Sequence, residues 1–223
     1  MIRFFRVALS IAAVLTVSAC ASSRSEISMA QPAKLANPTA GITVAIARVD
    51  DLRRFEIKPA EPSTPSLSDD KINDVATTSR AIGRKRNGYG MAMGDVLVGK
   101  GETVGAIIET AVADGFRKAG YRVVEKGDAG YDQAVPVTVR VSEFWSWFNP
   151  GFVQVTISNR ADLTLIGSLP ALAPNGLTVQ NEVADKMMAV TESDWKNIVD
   201  KGLDEISNKV ADALKQKSGA PVS

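Results

Sequence analysis

The sequence predicts an α+β fold: a two-layer sandwich in which a mostly antiparallel sheet carries two amphipathic helices on one face. Three observations point there. Two stretches place apolar residues at three- and four-residue steps, the period of a helix with one buried face. Two others alternate apolar and polar residues over long runs, the period of a half-buried strand. The order is strand, long loop, helix, antiparallel strands, helix, and two packed layers are the economical way to bury one apolar face per element.

The first strand is ITVAIARV, Ile42 to Val49. It is β-branched and apolar on both sides, which suits a central position. Residues 59–70, PAEPSTPSLSDD, carry three prolines among turn formers and read as a long, mobile loop. Arg80 to Gly101 is punctuated by glycines and reads as short extended pieces around an Asn87-Gly88 turn. The first helix is predicted over Thr103–Ala119, where Val104, Ile107, Ile108, Ala111, Val112 and Phe116 share one face. Gly120 follows as its C-terminal stop, and Arg117 and Lys118 complement the helix dipole. Tyr121–Glu125 is a short strand.

From Val135 the alternation is strict, with Val135, Val137, Val139 and Val141 pointing one way. Asn149-Pro150-Gly151 turns the chain. The next strand then points Val153, Val155, Ile157, Ala161, Leu163 and Leu165 inward, with Asn159 the one polar residue on that face. Leu177–Val190 is a third strand, less regular, with a bulge expected near Val183-Ala184. The closing helix spans Glu192–Lys217 behind a Thr191 N-cap, with Trp195, Ile198, Val199, Leu203, Ile206, Val210 and Leu214 as its apolar stripe.

The N-terminus follows a different logic. Arg3 and Arg6 precede Val7–Ala19, an apolar and uncharged run. A basic head, a short apolar core and small residues at its end have the layout of a secretory signal. The run falls short of the ~20 apolar residues of a membrane span. Val17-Ser18-Ala19-Cys20 then resembles the lipobox of bacterial lipoproteins. That resemblance implies alkylation of the Cys20 thiol with diacylglycerol, cleavage before it and acylation of the new amine. It also implies a membrane as partner through lipidated Cys20. Ala21 stands where an aspartate would favour the inner membrane, so the expected address is the outer membrane with the body in the periplasm. The domain division is then a signal peptide at 1–19, a lipidated tether at 20–41, one sandwich domain at 42–217 and a frayed tail at 218–223. A flexible tether of that length would span on the order of 25 Å.

Composition closes off several functions. The chain has a formal net charge of +1, one cysteine and no histidine. Near-neutral charge provides no field for nucleic acid. Without histidine, and with Cys20 committed to lipid, zinc sites rich in His and Cys are excluded, as are Ser-His and Cys-His nucleophile pairs. No metal site and no cofactor are expected. Asp50, Asp51 and Glu143 lie too far apart in sequence to argue for paired carboxylates. Carboxylate chemistry and Ser-Lys chemistry remain open, but composition does not favour them, and the chain is expected not to be an enzyme.

From Ile42 onward the chain carries, in order, Asp51-Leu52-Arg53 after the first strand, IGRKRNGYG, AGYRVV after the first helix, a valine-rich strand, NRADLTLI in the next strand and a closing amphipathic helix. This ordered pattern resembles the YajG-like family of bacterial outer-membrane lipoproteins. The proline-rich stretch at 55–80 departs from that pattern. The resemblance implies an anchored periplasmic domain without known catalysis.

Two stretches are candidate contact sites. Arg84, Lys85, Arg86 and Tyr89 lie among glycines that let backbone amides approach an anion such as a lipid or lipopolysaccharide phosphate. The same residues also read as an ordinary solvated basic loop. Trp145, Trp147 and Phe148 stand near a hairpin tip; on a strand the two indoles share a face opposite Val141 and Phe144, beside Arg140 and Ser142. They read either as an exposed contact for a partner or membrane or as indoles covered by other elements. The expected function is a non-enzymatic envelope adaptor or scaffold with a protein partner. The alternative is an accessory of lipid or lipopolysaccharide transport that binds an amphipathic ligand between helix and sheet.

Overall fold

The structure, a computed structural model, describes residues 24–29 and 34–218. The 1–19 leader, Cys20 and residues 219–223 of the expected tail lie outside the described residues. In chain order the elements are β1 (Ser25–Ile27), β2 (Thr43–Asp51), α1 (Val75–Thr78), β3 (Ala81–Arg86), β4 (Ala92–Val98), α2 (Val104–Lys118), β5 (Arg122–Val123), β6 (Val135–Pro150), β7 (Val155–Gly167), β8 (Leu177–Met187) and α3 (Glu192–Ser218).

The spine of the sheet is the long β6–β7 hairpin, with β8 added antiparallel to β7. Two strands lie end to end along the other side of β6. β2 runs parallel to its first half, from Val44 opposite Val135 to Asp51 opposite Val141. β3 meets its second half, with Gly83 opposite Ser146. β5 extends the sheet beyond β2, and β4 then β1 extend it beyond β3. The sheet is therefore mixed, which corrects the mostly antiparallel expectation. β1–β4, β2–β5, β2–β6 and β3–β6 are parallel; β3–β4, β6–β7 and β7–β8 are antiparallel. The physical cause is connectivity. A parallel return needs a crossover, and between β2 and β6 the chain passes through α2.

Both amphipathic helices pack on one face of the sheet, as their periodicity requires. Val104, Ile108, Val112 and Phe116 of α2 join Trp195, Ile198, Val199, Ile206, Val210 and Leu214 of α3 over Val137, Val139, Val141, Ile157, Leu163 and Leu165. The Thr103 side chain caps α2 by accepting from the Ala106 amide. The helix ends in a paired-carbonyl stop: Tyr121 N donates to Phe116 O and Gly120 N to Arg117 O, with Gly120 at φ +90° and the Phe116 and Tyr121 rings edge to face at 5.4 Å. At α3, the Asp194 carboxylate accepts from both the amide and the hydroxyl of Thr191.

Asn159, the polar residue on the inner face, is buried. Its amide donates to Ser146 Oγ at 2.9 Å, and Asn181 donates to the Gly202 carbonyl of α3 at 3.0 Å. A Cβ on Gly202 would lie 2.1 Å from Asn159 Oδ1, so only glycine lets α3 approach the strand this closely.

Four expectations change. The sandwich has a third, partial layer. Residues 52–79 cover the far face of β3, β4 and β6, where Leu67, Ala81, Leu97, Trp145 and Trp147 form a second core with Phe55 and Ile72 against it. The proline-rich stretch is thus a packed cover rather than a mobile loop. Residues 25–29, expected within a flexible tether, are packed on the body: Ser25–Ile27 pairs with Val96–Val98, and Ile27 and Met29 are buried. β8 pairs with β7 without a register shift, so no bulge lies at Val183-Ala184; the shift is in β6, between Val141 and Glu143. Val153 precedes β7 and is exposed, not inward.

Candidate functional site

The basic candidates lie on β3 and the β3–β4 turn. Arg84 stands 3.5 Å from Asp95 of the partner strand. Lys85, on the helix side, donates to Ser25 Oγ and pairs with Glu192 at 3.8 Å. Arg86 donates to Ser66 Oγ at 3.1 Å, to Gly90 O and to Pro59 O. Burial, and then the neighbouring Arg84, lower its pKa. These cations join β3 to β1, to the start of α3 and to the cover. Tyr89 differs: its side chain is 91% exposed at a turn organised by the Asn87 side chain, which accepts from the Tyr89 and Met91 amides.

The aromatic candidates are not where an exposed contact requires them. Trp145 and Trp147 do share the face opposite the helices, but that face is covered: their exposures are 0% and 3%. Trp145 Nε1 donates to Pro62 O at 3.3 Å, and its ring meets Phe55 edge to face at 6.0 Å. The Arg160 guanidinium lies 5.0 Å over the Trp147 ring. Phe148 turns the other way and packs against Trp195 at 6.1 Å. The reading of these side chains as an exposed surface is therefore corrected: Arg140 and Ser142 suggested solvent, but the cover is distant in sequence and no local period announces it.

Arg53 holds that cover in place, a role the composition of DLRRF did not reveal. All five guanidinium N–H groups find acceptors. Two go to Asp51 at 2.8 and 2.7 Å; the others go to the carbonyls of Ala81 at 2.5 Å, Thr78 at 2.8 Å and Phe144 at 3.3 Å. The side chain is fully buried, and its guanidinium carbon lies 5.3 Å over the Phe55 ring.

A groove of about 430 Å³ runs between α2 and the β2–β5 edge, with Ile46, Ala113 and Val123 beside Arg48, Arg117 and Lys126. On the open face of β6–β8, Glu143 lies 3.6 Å from Arg160, which also pairs with Glu182 at 2.9 Å. Partial burial raises the Glu143 pKa; Arg160 opposes the rise, and Asp162 and Glu182 add to it. Among the described residues no group of three or more His, Cys, Asp or Glu could hold a metal ion, and no helix is long and apolar enough to cross a membrane.

No family model matches the chain, and neither does any curated protein. Among solved structures it is similar to a Xanthomonas campestris protein of the DUF330 family, at 11% identity and a TM-score of 0.45, over 88% of this chain and 99% of that one. It is also similar to a minor lipoprotein from Acinetobacter baumannii, at 14% identity and a TM-score of 0.27, over 49% of this chain and 77% of that one. Overlaps at this level carry no argument about function.

Proposed function

We propose that this chain is a lipid-anchored protein of the bacterial envelope, held in the outer membrane through Cys20, with its body in the periplasm as a non-enzymatic adaptor or scaffold for a protein partner. One observation carries the reading: Val17-Ser18-Ala19-Cys20 directly follows a basic and then apolar leader, and the chain has no other cysteine. One acyl chain holds a protein only marginally, at ~0.8 kcal/mol per buried methylene, whereas several hold it stably. Ala21 supports the outer-membrane address, and the ordered YajG-like pattern from Ile42 onward supports the anchored periplasmic body. The absence of histidine supports a role without catalysis.

A second reading, an accessory of lipid or lipopolysaccharide transport, has one observation in its favour. The groove between α2 and β2 combines apolar residues with four cations, Lys34, Arg48, Arg117 and Lys126, against two carboxylates, Glu109 and Glu125, an excess of positive charge beside apolar surface.

The test is fractionation of the native chain and Cys20→Ala, with mass spectrometry of the N-terminal peptide. The native chain should pellet with membranes and show acylated Cys20, and the alanine variant should move to the soluble fraction. Equal retention of the variant, or a bare thiol in the native chain, overturns the reading. Affinity capture from envelopes then separates the two roles: one protein partner without lipid supports the adaptor, and a lipid retained by the body supports the accessory.

A further inference from the structure

Three chain reversals lie at one end of the sheet. β3 runs parallel to β6, with Gly83 opposite Ser146, so the β3–β4 turn and the β6–β7 turn leave the sheet on the same side. Val155 pairs with Met187, which brings the exit of β8 there too. These reversals expose Tyr89 and Met91, Phe152 and Val153, and Met188, half of the large apolar side chains exposed among the described residues. Phe152 is fully exposed at the head of a turn in which Gly151 N donates to Gln154 O. None of the three carries a charge: residues 87–94, 149–158 and 187–191 contain no Asp, Glu, Lys or Arg, although 23% of the chain is charged. Arg86 and Asp95 border the first of them, and Lys186 and Glu192 the third. At the opposite end, the connection after β5 carries Glu125, Lys126, Asp128 and Asp132, and the uncharged β7–β8 connection keeps its Leu169 and Leu172 buried.

The N-terminal segment enters from the uncharged end. β1 is parallel to β4, with Ser25 beside Val96, and β4 itself starts at the β3–β4 turn. Ser25 lies five steps along the chain from Cys20, a reach of at most about 18 Å. Met91 lies five residues before Val96, roughly 17 Å back along an extended strand. A lipid on Cys20 can therefore draw the three turns down to the bilayer but cannot hold the body far from it.

We infer that this end of the molecule docks on the leaflet that holds the lipid of Cys20, with Tyr89, Met91, Phe152, Val153 and Met188 entering the interfacial layer. Uncharged turns bearing aromatic and other apolar side chains suit the headgroup boundary of a bilayer. The tethered end supplies the second signal, since docking beside a fixed lipid is an intramolecular event. This inference rests on the acylation of Cys20 proposed above.

The test uses the acylated full chain in phosphatidylethanolamine–phosphatidylglycerol vesicles. Because lipid occupies the native thiol, Phe152→Cys, Tyr89→Cys or Ile42→Cys each adds one free thiol for an environment-sensitive fluorophore. Ile42 is the control, exposed at the start of β2 and distant from the three turns. The labels at 152 and 89 should be blue-shifted and quenched several-fold more by nitroxide lipids than the label at 42. Equal quenching of all three by aqueous iodide, with the protein still floating with the vesicles and its Cys20 acylated, overturns the docking and leaves the anchor intact. Protection of the 152 label only when envelope proteins are present also overturns it, in favour of a protein contact. A chain that neither floats nor carries lipid overturns both.

Discussion

At the scale of the residue, neighbours decide what each candidate side chain does. Trp147 illustrates this. Its place on the strand follows from alternation, but its burial follows from a cover distant in sequence. It is a core residue, so Trp147→Ala should lower stability by roughly 3–5 kcal/mol. Urea unfolding would show this, and an unchanged midpoint would restore the view of Trp147 as a surface contact. Glu143 lies half-buried among Arg160, Asp162 and Glu182, with burial the main cause of its raised pKa. The sign follows directly. The folded protein holds this proton more tightly than the unfolded chain does, so the charged carboxylate costs stability at neutral pH, and the cost fades as pH falls through the folded pKa. Glu143→Gln should therefore melt higher than the native protein at pH 7. The gap should close in acid, where both side chains are neutral, and melting curves across pH check it.

At the scale of the element, periodicity was a sound guide wherever one face meets the main core. α2 and α3 occupy nearly the predicted ranges, and both lie on one side of the sheet. The β6 alternation also contained a clue to its irregularity. Val141 and Phe144 both face the helices, and an odd step between two inward residues demands an extra one, which the register shift before Glu143 supplies. Elements held by scattered contacts were not legible. β1 is three residues long, and the cover is a proline-rich stretch with only one short helix. Neither has a period, and both are placed by partners elsewhere in the chain. Arg53 is the link that holds the cover. Arg53→Met should leave three carbonyls without their buried donor, at about 1–3 kcal/mol for a buried polar group left unsatisfied, while the Asp51 carboxylate, 30% exposed, can turn to water. Hydrogen exchange should then quicken across residues 55–67, and tryptophan emission should shift to the red as Trp145 meets water. Arg53→Lys should behave similarly, because an ammonium cannot reproduce a five-donor fork. Unchanged exchange in both variants would show that the cover holds without Arg53.

At the scale of the whole molecule, the sheet gathers three turns and the N-terminal entry at one end, and the fractionation and quenching experiments belong here. The amino-acid sequence by itself carries the proposal of a leader and of lipid attachment at Cys20, and it determined the two helices, the long hairpin and the identity of the main core. Each depends on order along the chain or on a period within one element, and a side chain's face follows from its spacing alone. Only the tertiary structure decided that the sheet is mixed, that residues 52–79 bury the indoles, that Ser25–Ile27 joins the sheet as β1, and that Tyr89, Phe152 and Met188 share an end. Those facts depend on which strand lies beside which and in what direction. That choice is made by crossovers and by contacts between distant residues, where local spacing carries no information.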